Sequence, residues 1–307
     1  MVPSPVFGAA PARFGAAPEF ASVPGFEAVA ALLARFESLP LGLQFTLLVA
    51  VPSVAAMLVG KRLFIPDLRL RDLLREFLRT DWKYLGVAWV VTELVNTLAL
   101  HFHAPRTFTG VIYAVEGATV VAFQSVTTVP LTVLATGVYL VGFPFVVLFT
   151  YFKLKAHDEE EAHRYALAYV VVVVSAVPFF LLFPVKVSSL YLSTVDPLMY
   201  ELSPAIQYGI FSTDTLVKAF PSLHAGLSVL AAVYARKAGA RYAYTAGALA
   251  VAIVVSTLYL GVHWVTDLAF GVVLVWVAYR LSRRVSDPRW SVASRELVSA
   301  LRRYAPV

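Results

Sequence analysis

Residues 165–183 read YALAYVVVVVSAVPFFLLF, an apolar stretch without one charged side chain. A helix needs about 20 such residues to cross the hydrocarbon of a bilayer. Only helices and closed barrels satisfy their backbone polar groups in lipid, and this run lacks the alternation of a barrel strand. It therefore decides the fold class. Further candidate spans lie on both sides of it: Leu41–Gly60, Tyr84–Leu100, Pro130–Phe152, Ser222–Ala235, Tyr242–Leu260 and Trp264–Tyr279. That makes seven, of which the fifth and seventh in chain order are short. Composition agrees. Of 307 residues, 59% are hydrophobic and 14% charged, with a mean hydropathy of +0.75. A soluble domain carries about 25% charged residues. The expectation is an all-α, polytopic transmembrane bundle in one piece. Val111–Phe123 is also apolar, but Glu116 in its middle marks it as an interfacial or re-entrant piece.

Charge sets the expected topology, because cytoplasmic connections are enriched in Lys and Arg. Lys61, Arg62, Arg69, Arg71, Arg75 and Arg79 follow the first span. Lys153, Lys155 and Arg164 follow the third, and Arg236, Lys237 and Arg241 the fifth. Arg280, Arg283, Arg284 and Arg289 follow the seventh. Every second connection is basic. The chain is thus expected to be multi-pass in the cell membrane, with its N-terminus outside and its C-terminus cytoplasmic. Loops 101–129 and 185–221 and the junction at His263 fall outside. The net charge of +6 belongs to these clusters, and no nucleic-acid-binding motif accompanies them. With no cysteine, disulfides, thiolate metal sites and cysteine nucleophiles are excluded.

Five segments are expected. Residues 1–40 are rich in Pro and Ala and lack the n- and h-regions of a signal peptide. Residues 41–60 form an extra span. Residues 61–81 form a basic amphipathic stretch on the inner leaflet. Residues 82–284 form the functional core, and 285–307 a cytoplasmic tail.

Two segments carry titratable groups where bilayer chemistry makes them expensive. In the second, His263 and Asp267 are four residues apart, one helical turn, so they share a face. An aspartate beside an imidazole fixes its tautomer and stabilises its cation. The other ring nitrogen can then act as a nucleophile. An ion pair that caps a helix has the same pattern. In the first, Pro221-Ser222-Leu223-His224 opens a helix, with proline and serine in favoured first-turn and capping positions. Helix N-termini bind anions. Ser222 can donate to a phosphate and His224 can protonate a leaving oxygen. A satisfied interfacial histidine is the alternative.

Together these residues resemble two signature motifs of the type 2 phosphatidic acid phosphatase superfamily. The family's P-S-[GL]-H is Pro221-Ser222-Leu223-His224, and its S-R-x5-H-x3-D is Ser256-Thr257, five residues, His263, three residues, Asp267. The form Phe220-Pro221-Ser222-Leu223-His224-Ala225-Gly226 is similar to the inositol phosphorylceramide synthase (aureobasidin-resistance) branch. The resemblance implies a six-helix core, matched by the second to seventh spans. It also implies His263 as nucleophile, Asp267 as its orienter and His224 as general acid. Two departures matter. Thr257 stands where many members carry a phosphate-binding arginine, and the first motif, K-x6-R-P, is absent after Lys186. Lys186 and Lys218 are the candidate replacements, each equally readable as a solvated loop residue.

The expected function is a lipid phosphoesterase acting on a phosphate or pyrophosphate, with no metal and no cofactor. Alternatives are a phospholipid head-group transferase or a non-catalytic lipid-binding or transport protein. An intramembrane protease would need its dyad or zinc ligands deep in the bundle. Of the other polar residues, Glu93 and Asn96 are candidates for lining a groove, and Glu116 and Gln124 for contacting a head group. Asp196, Glu201 and Asp214 read as facing solvent or binding an acceptor, His101 and His103 as interfacial, and Asp158-Glu159-Glu160-Glu161 as a solvated helix start.

Overall fold

The computed structural model describes residues 26–80, 82–101, 107–213 and 216–289, with positions 292, 295, 296 and 299 beyond them. Residues 1–25, His103 and Asp214, and the side chains of Glu93, Asn96 and His101, lie outside the described residues. Among those described, the chain forms helices α1 (Phe26–Glu37), α2 (Leu41–Phe64), α3 (Leu70–Thr80), α4 (Trp82–His101) and α5 (Thr109–Glu116). There follow α6 (Val129–Lys155), α7 (Glu159–Leu182), α8 (Leu198–Glu201) and α9 (Pro204–Thr213). The last three are α10 (Leu223–Ala235), α11 (Ala240–Tyr259) and α12 (Val265–Arg284). Five of these, α2, α6, α7, α11 and α12, are long and apolar enough to cross a membrane. The protein is a multi-pass, all-α bundle.

All seven expected spans are helical, but hydropathy misplaced some ends. Helix α2 runs past Gly60 to Phe64, carrying Lys61 and Arg62 in its last turn. Long basic side chains can lie along apolar surface while their charges stay in water. It stops at Ile65, which precedes Pro66 and is thereby pushed out of the helical region. Helix α7 begins at Glu159, six residues before its apolar run, with Asp158 accepting the Glu161 N–H at 3.1 Å as its cap. The piece 111–123 is the short helix α5 followed by a 3₁₀ turn, Thr119–Gln124.

Helix α10 is the hub. It packs against α6, α7, α11 and α12, while α4 lies against α7, and α2 against α6 and α9. Lipid-like surroundings supply no hydrophobic drive between helices, so packing and interhelical hydrogen bonds hold them. Thr150 and Tyr242 hydroxyls meet at 2.7 Å, Tyr165 donates to the Val147 carbonyl at 2.8 Å, and Thr132 and Tyr259 meet at 2.8 Å.

The basic end of the bundle is tied by charge. The buried Arg164 donates to the carbonyls of Ser282 (2.6 Å) and Val285 (3.0 Å) and to the Glu160 carboxylate. Arg283 pairs with Glu161, whose side chain is only 12% exposed. The acidic run is therefore solvated only in part: Glu159 and Glu160 face water, whereas Glu161 fastens α7 to α12.

Candidate active site

The opposite end of the bundle gathers both histidine motifs. Ser222 caps α10, its Oγ accepting the Ala225 N–H at 3.2 Å. That oxygen also lies 3.2 Å from His263 Nε2. On the other side of the imidazole, Nδ1 is 3.3 Å from Asp267 Oδ2, which accepts the Trp264 N–H at 2.9 Å. Asp267 Oδ1 is buried and has no hydrogen-bond partner among the described residues. Ser222, His263 and Asp267 thus form one file, all three buried.

The backbone explains how this file is held. The Ser222 N–H donates to the Asp267 carbonyl at 3.0 Å, joining the first turns of α10 and α12. Such an approach requires small residues. A Cβ on Gly271 would sit 2.5 Å from the Ser222 carbonyl, and one on Gly226 would sit 3.1 Å from the Gly271 carbonyl. Gly261 makes the turn from α11 to His263 at a positive φ of 71°, where a Cβ would also strike the Asp196 carbonyl at 2.9 Å. The start of α12 is capped from a distance. Glu116, at the end of α5, accepts the N–H groups of Val265 (3.0 Å) and Thr266 (2.6 Å) and the Thr266 hydroxyl. A carboxylate is favoured at a helix N-terminus. Gln124 likewise bridges the Asp196 backbone and the Tyr259 carbonyl. Neither residue lines the cavity, so their expected contact with a head group gives way to a scaffolding place.

His224 faces this file, its ring centroid 6.2 Å from that of His263. Tyr139 stacks on it at 4.2 Å with 20° between the planes, and Phe143 lies at 4.3 Å. The Tyr139 hydroxyl is 3.4 Å from His224 Nδ1. Both aromatics come from α6 at a π-helical turn, Val138–Gly142. Such turns recur at functional sites. Nothing in the sequence separates Tyr139 from the other aromatics of that span.

His224 and His263 open into a cavity of about 370 Å³. Its walls are largely apolar, including Val95, Val173, Leu227 and Phe180, with Thr92, Tyr169 and Tyr200 as polar interruptions. Lys218 is the single lysine or arginine lining it among the described residues. It is placed there by a short parallel bridge: Val185 N–H donates to Val217 O, and Ala219 N–H to Val185 O. Its ammonium lies 6.0 Å from the Phe180 ring. Lys186 is not among the lining residues. Its backbone instead binds the Thr109 hydroxyl and the Trp264 indole. Thr257, in the place of the family's arginine, is fully buried and returns its hydroxyl to the Val254 carbonyl at 2.7 Å. The two departures seen in the sequence thus reduce to one cation at the cavity. Among the described residues, no three His, Asp or Glu side chains gather as a metal-ligand set.

Trp264 is wholly buried as packing beneath this site, while Trp82 stays half exposed. Asp196 and Glu201 are exposed, as expected of solvent-facing acids. No curated protein and no solved structure gave a match to the chain. A family model did: the PAP2 superfamily model covers residues 119–281, from the turn before α6 into α12 and including both histidine motifs, and the chain belongs to that superfamily.

Proposed function

We propose that the protein is a membrane-embedded phosphoesterase that cleaves a lipid phosphate or pyrophosphate through a phosphohistidine on His263. Superfamily membership supports a phosphatase-type lipid enzyme in general. The observation that carries the finer reading is the file Ser222–His263–Asp267, with His224 across the cavity mouth.

In this mechanism Asp267 accepts a hydrogen bond from the Nδ1–H of His263, leaving Nε2 as the nucleophile. Ser222, which faces Nε2 before substrate arrives, transfers its hydroxyl donor to a phosphate oxygen. Nε2 attacks phosphorus. A nitrogen–phosphorus bond forms, the phosphorus–oxygen bond to the leaving group breaks, and His224 protonates the departing oxygen. His224, now neutral, takes a proton from the second nucleophile, which attacks phosphorus and frees His263. Lys218 supplies positive charge where the transition state needs it, and the step requires no metal ion. The apolar walls hold hydrocarbon, and the positive-inside pattern supports an extracytoplasmic site with the C-terminus in the cytoplasm.

A second reading is favoured by one observation: among the described residues, Lys218 is the single lysine or arginine at the cavity. If the second nucleophile is a lipid or polyol hydroxyl rather than water, the same steps give head-group transfer of the inositol phosphorylceramide synthase kind.

The test is phosphate release by detergent-purified protein from phosphatidate and isoprenyl pyrophosphate, without added metal, for wild type and His263→Ala. The expected result is release by wild type alone. Equal release by both would overturn the mechanism. Silence from both would turn the assay to labelled phospholipid with an alcohol acceptor, where loss on His263→Ala is again expected.

A further inference from the structure

We propose that Tyr139 is a positioning residue for His224, its phenolic oxygen accepting a hydrogen bond from Nδ1–H whenever that imidazole is charged. The proposal rests on the reading of His224 as the acid that protonates the leaving oxygen.

An imidazole that gives a proton from one nitrogen needs an acceptor at the other, or its ring turns and its cation is unsupported. His263 has the Asp267 carboxylate for this. Among the described residues no Asp or Glu lines the cavity beside His224. The partner at its Nδ1 is the Tyr139 hydroxyl, at 3.4 Å. The remaining titratable groups around the same cavity, among the described residues, are His263, Lys218, Tyr169 and Tyr200. Two of these, Lys218 and His263, carry or acquire positive charge, which opposes a second cation on His224. An oxygen acceptor and an aromatic face act in the other direction. Tyr139 supplies both, lying nearly parallel to the imidazole at 4.2 Å. The face of an aromatic ring attracts a cation. The π turn that carries Tyr139 presents it to the start of α10 while Phe143 closes on the same ring. With Nδ1 occupied, Nε2 is the nitrogen left for the reacting oxygen. In the first half-reaction the Nε2 proton passes to the leaving oxygen. In the second, Nε2 recovers a proton from the attacking hydroxyl. Tyr139 keeps its own proton throughout.

The test is Tyr139→Phe, which preserves the stacked ring and removes only the oxygen, assayed with phosphatidate across pH beside wild type and His224→Ala. If phosphatidate is not turned over, the labelled phospholipid and alcohol acceptor replace it. The expected result is a fall in kcat of about tenfold, the worth of one hydrogen bond to a charged group, with KM little changed. The alkaline limb of the kcat profile should also move to lower pH by about one unit, because the imidazolium has lost its acceptor and deprotonates sooner. A merely structural Tyr139 would lower the amount of active enzyme and leave the limb in place. An unchanged kcat and limb in Tyr139→Phe, with His224→Ala inactive, would overturn this proposal alone. Full activity in His224→Ala would overturn the acid assignment itself and this proposal with it.

Discussion

The two ends of the bundle bury polar groups in opposite styles. At the basic end, Arg164 spends its guanidinium on the Ser282 and Val285 carbonyls and the Glu160 carboxylate, and Tyr234 bonds the Ser282 hydroxyl at 2.6 Å. None of these groups lines the cavity at the histidine end. At the other end, where α10 and α12 begin, the file Ser222–His263–Asp267 is also buried, but its His263 faces a cavity together with His224 and Lys218. One oxygen of Asp267 is left without a partner among the described residues. A buried polar group that is fully paired holds structure. One that is paired on a single side and faces a cavity is prepared for a ligand. The same two helices serve both ends, so the comparison separates structural from chemical demand within a shared scaffold.

Three substitutions sharpen that contrast. The largest effect is expected for Arg164→Met, which strands two buried carbonyls and should cost about 3 kcal/mol of stability. Thermal unfolding in detergent should show it as a lower Tm, while kcat of the folded fraction stays at the wild-type value. A lost kcat at unchanged Tm would reverse the roles given to the two ends. Next comes Lys218→Gln. Removing the lysine that lines the cavity should lower kcat/KM about 30-fold, or about 2 kcal/mol in transition-state stabilisation, with Tm almost unmoved. Steady-state kinetics would read this directly. Wild-type kinetics would mean that the phosphate draws its charge from elsewhere. The smallest effect belongs to Thr257→Val. Its hydroxyl bonds its own helix, so at most about 1 kcal/mol of stability and no more than about twofold in kcat/KM should be lost. A collapse of activity there would place Thr257 against the phosphate after all.

The helices were legible because hydropathy reports burial in lipid: seven apolar runs became helices, and five of these are long and apolar enough to cross a membrane. Their ends were not, since charged first and last turns such as Glu159–Arg164 and Lys61–Phe64 are helical outside the hydrocarbon, where hydropathy is blind. The His263–Asp267 pair was legible from its one-turn spacing. Its contact with Ser222 depends on two glycines, Gly226 and Gly271, whose role shows only when two helices cross. Glu116 stood out as an acid in an apolar segment, yet its partners Val265 and Thr266 lie about 150 residues away, beyond any local pattern. Lys186 and Lys218 were equivalent on paper. The bridge between Val185 and Lys218 decided which one lines the cavity.

The central claim is that phosphorus is transferred to His263. The most direct measurement is a rapid quench of enzyme with phosphorus-labelled lipid substrate, kept alkaline to preserve a phosphoramidate, followed by mass-spectrometric location of the label. The account predicts label on His263 in the wild type and none in His263→Ala. Label on Ser222, or turnover that survives in His263→Ala, would contradict it.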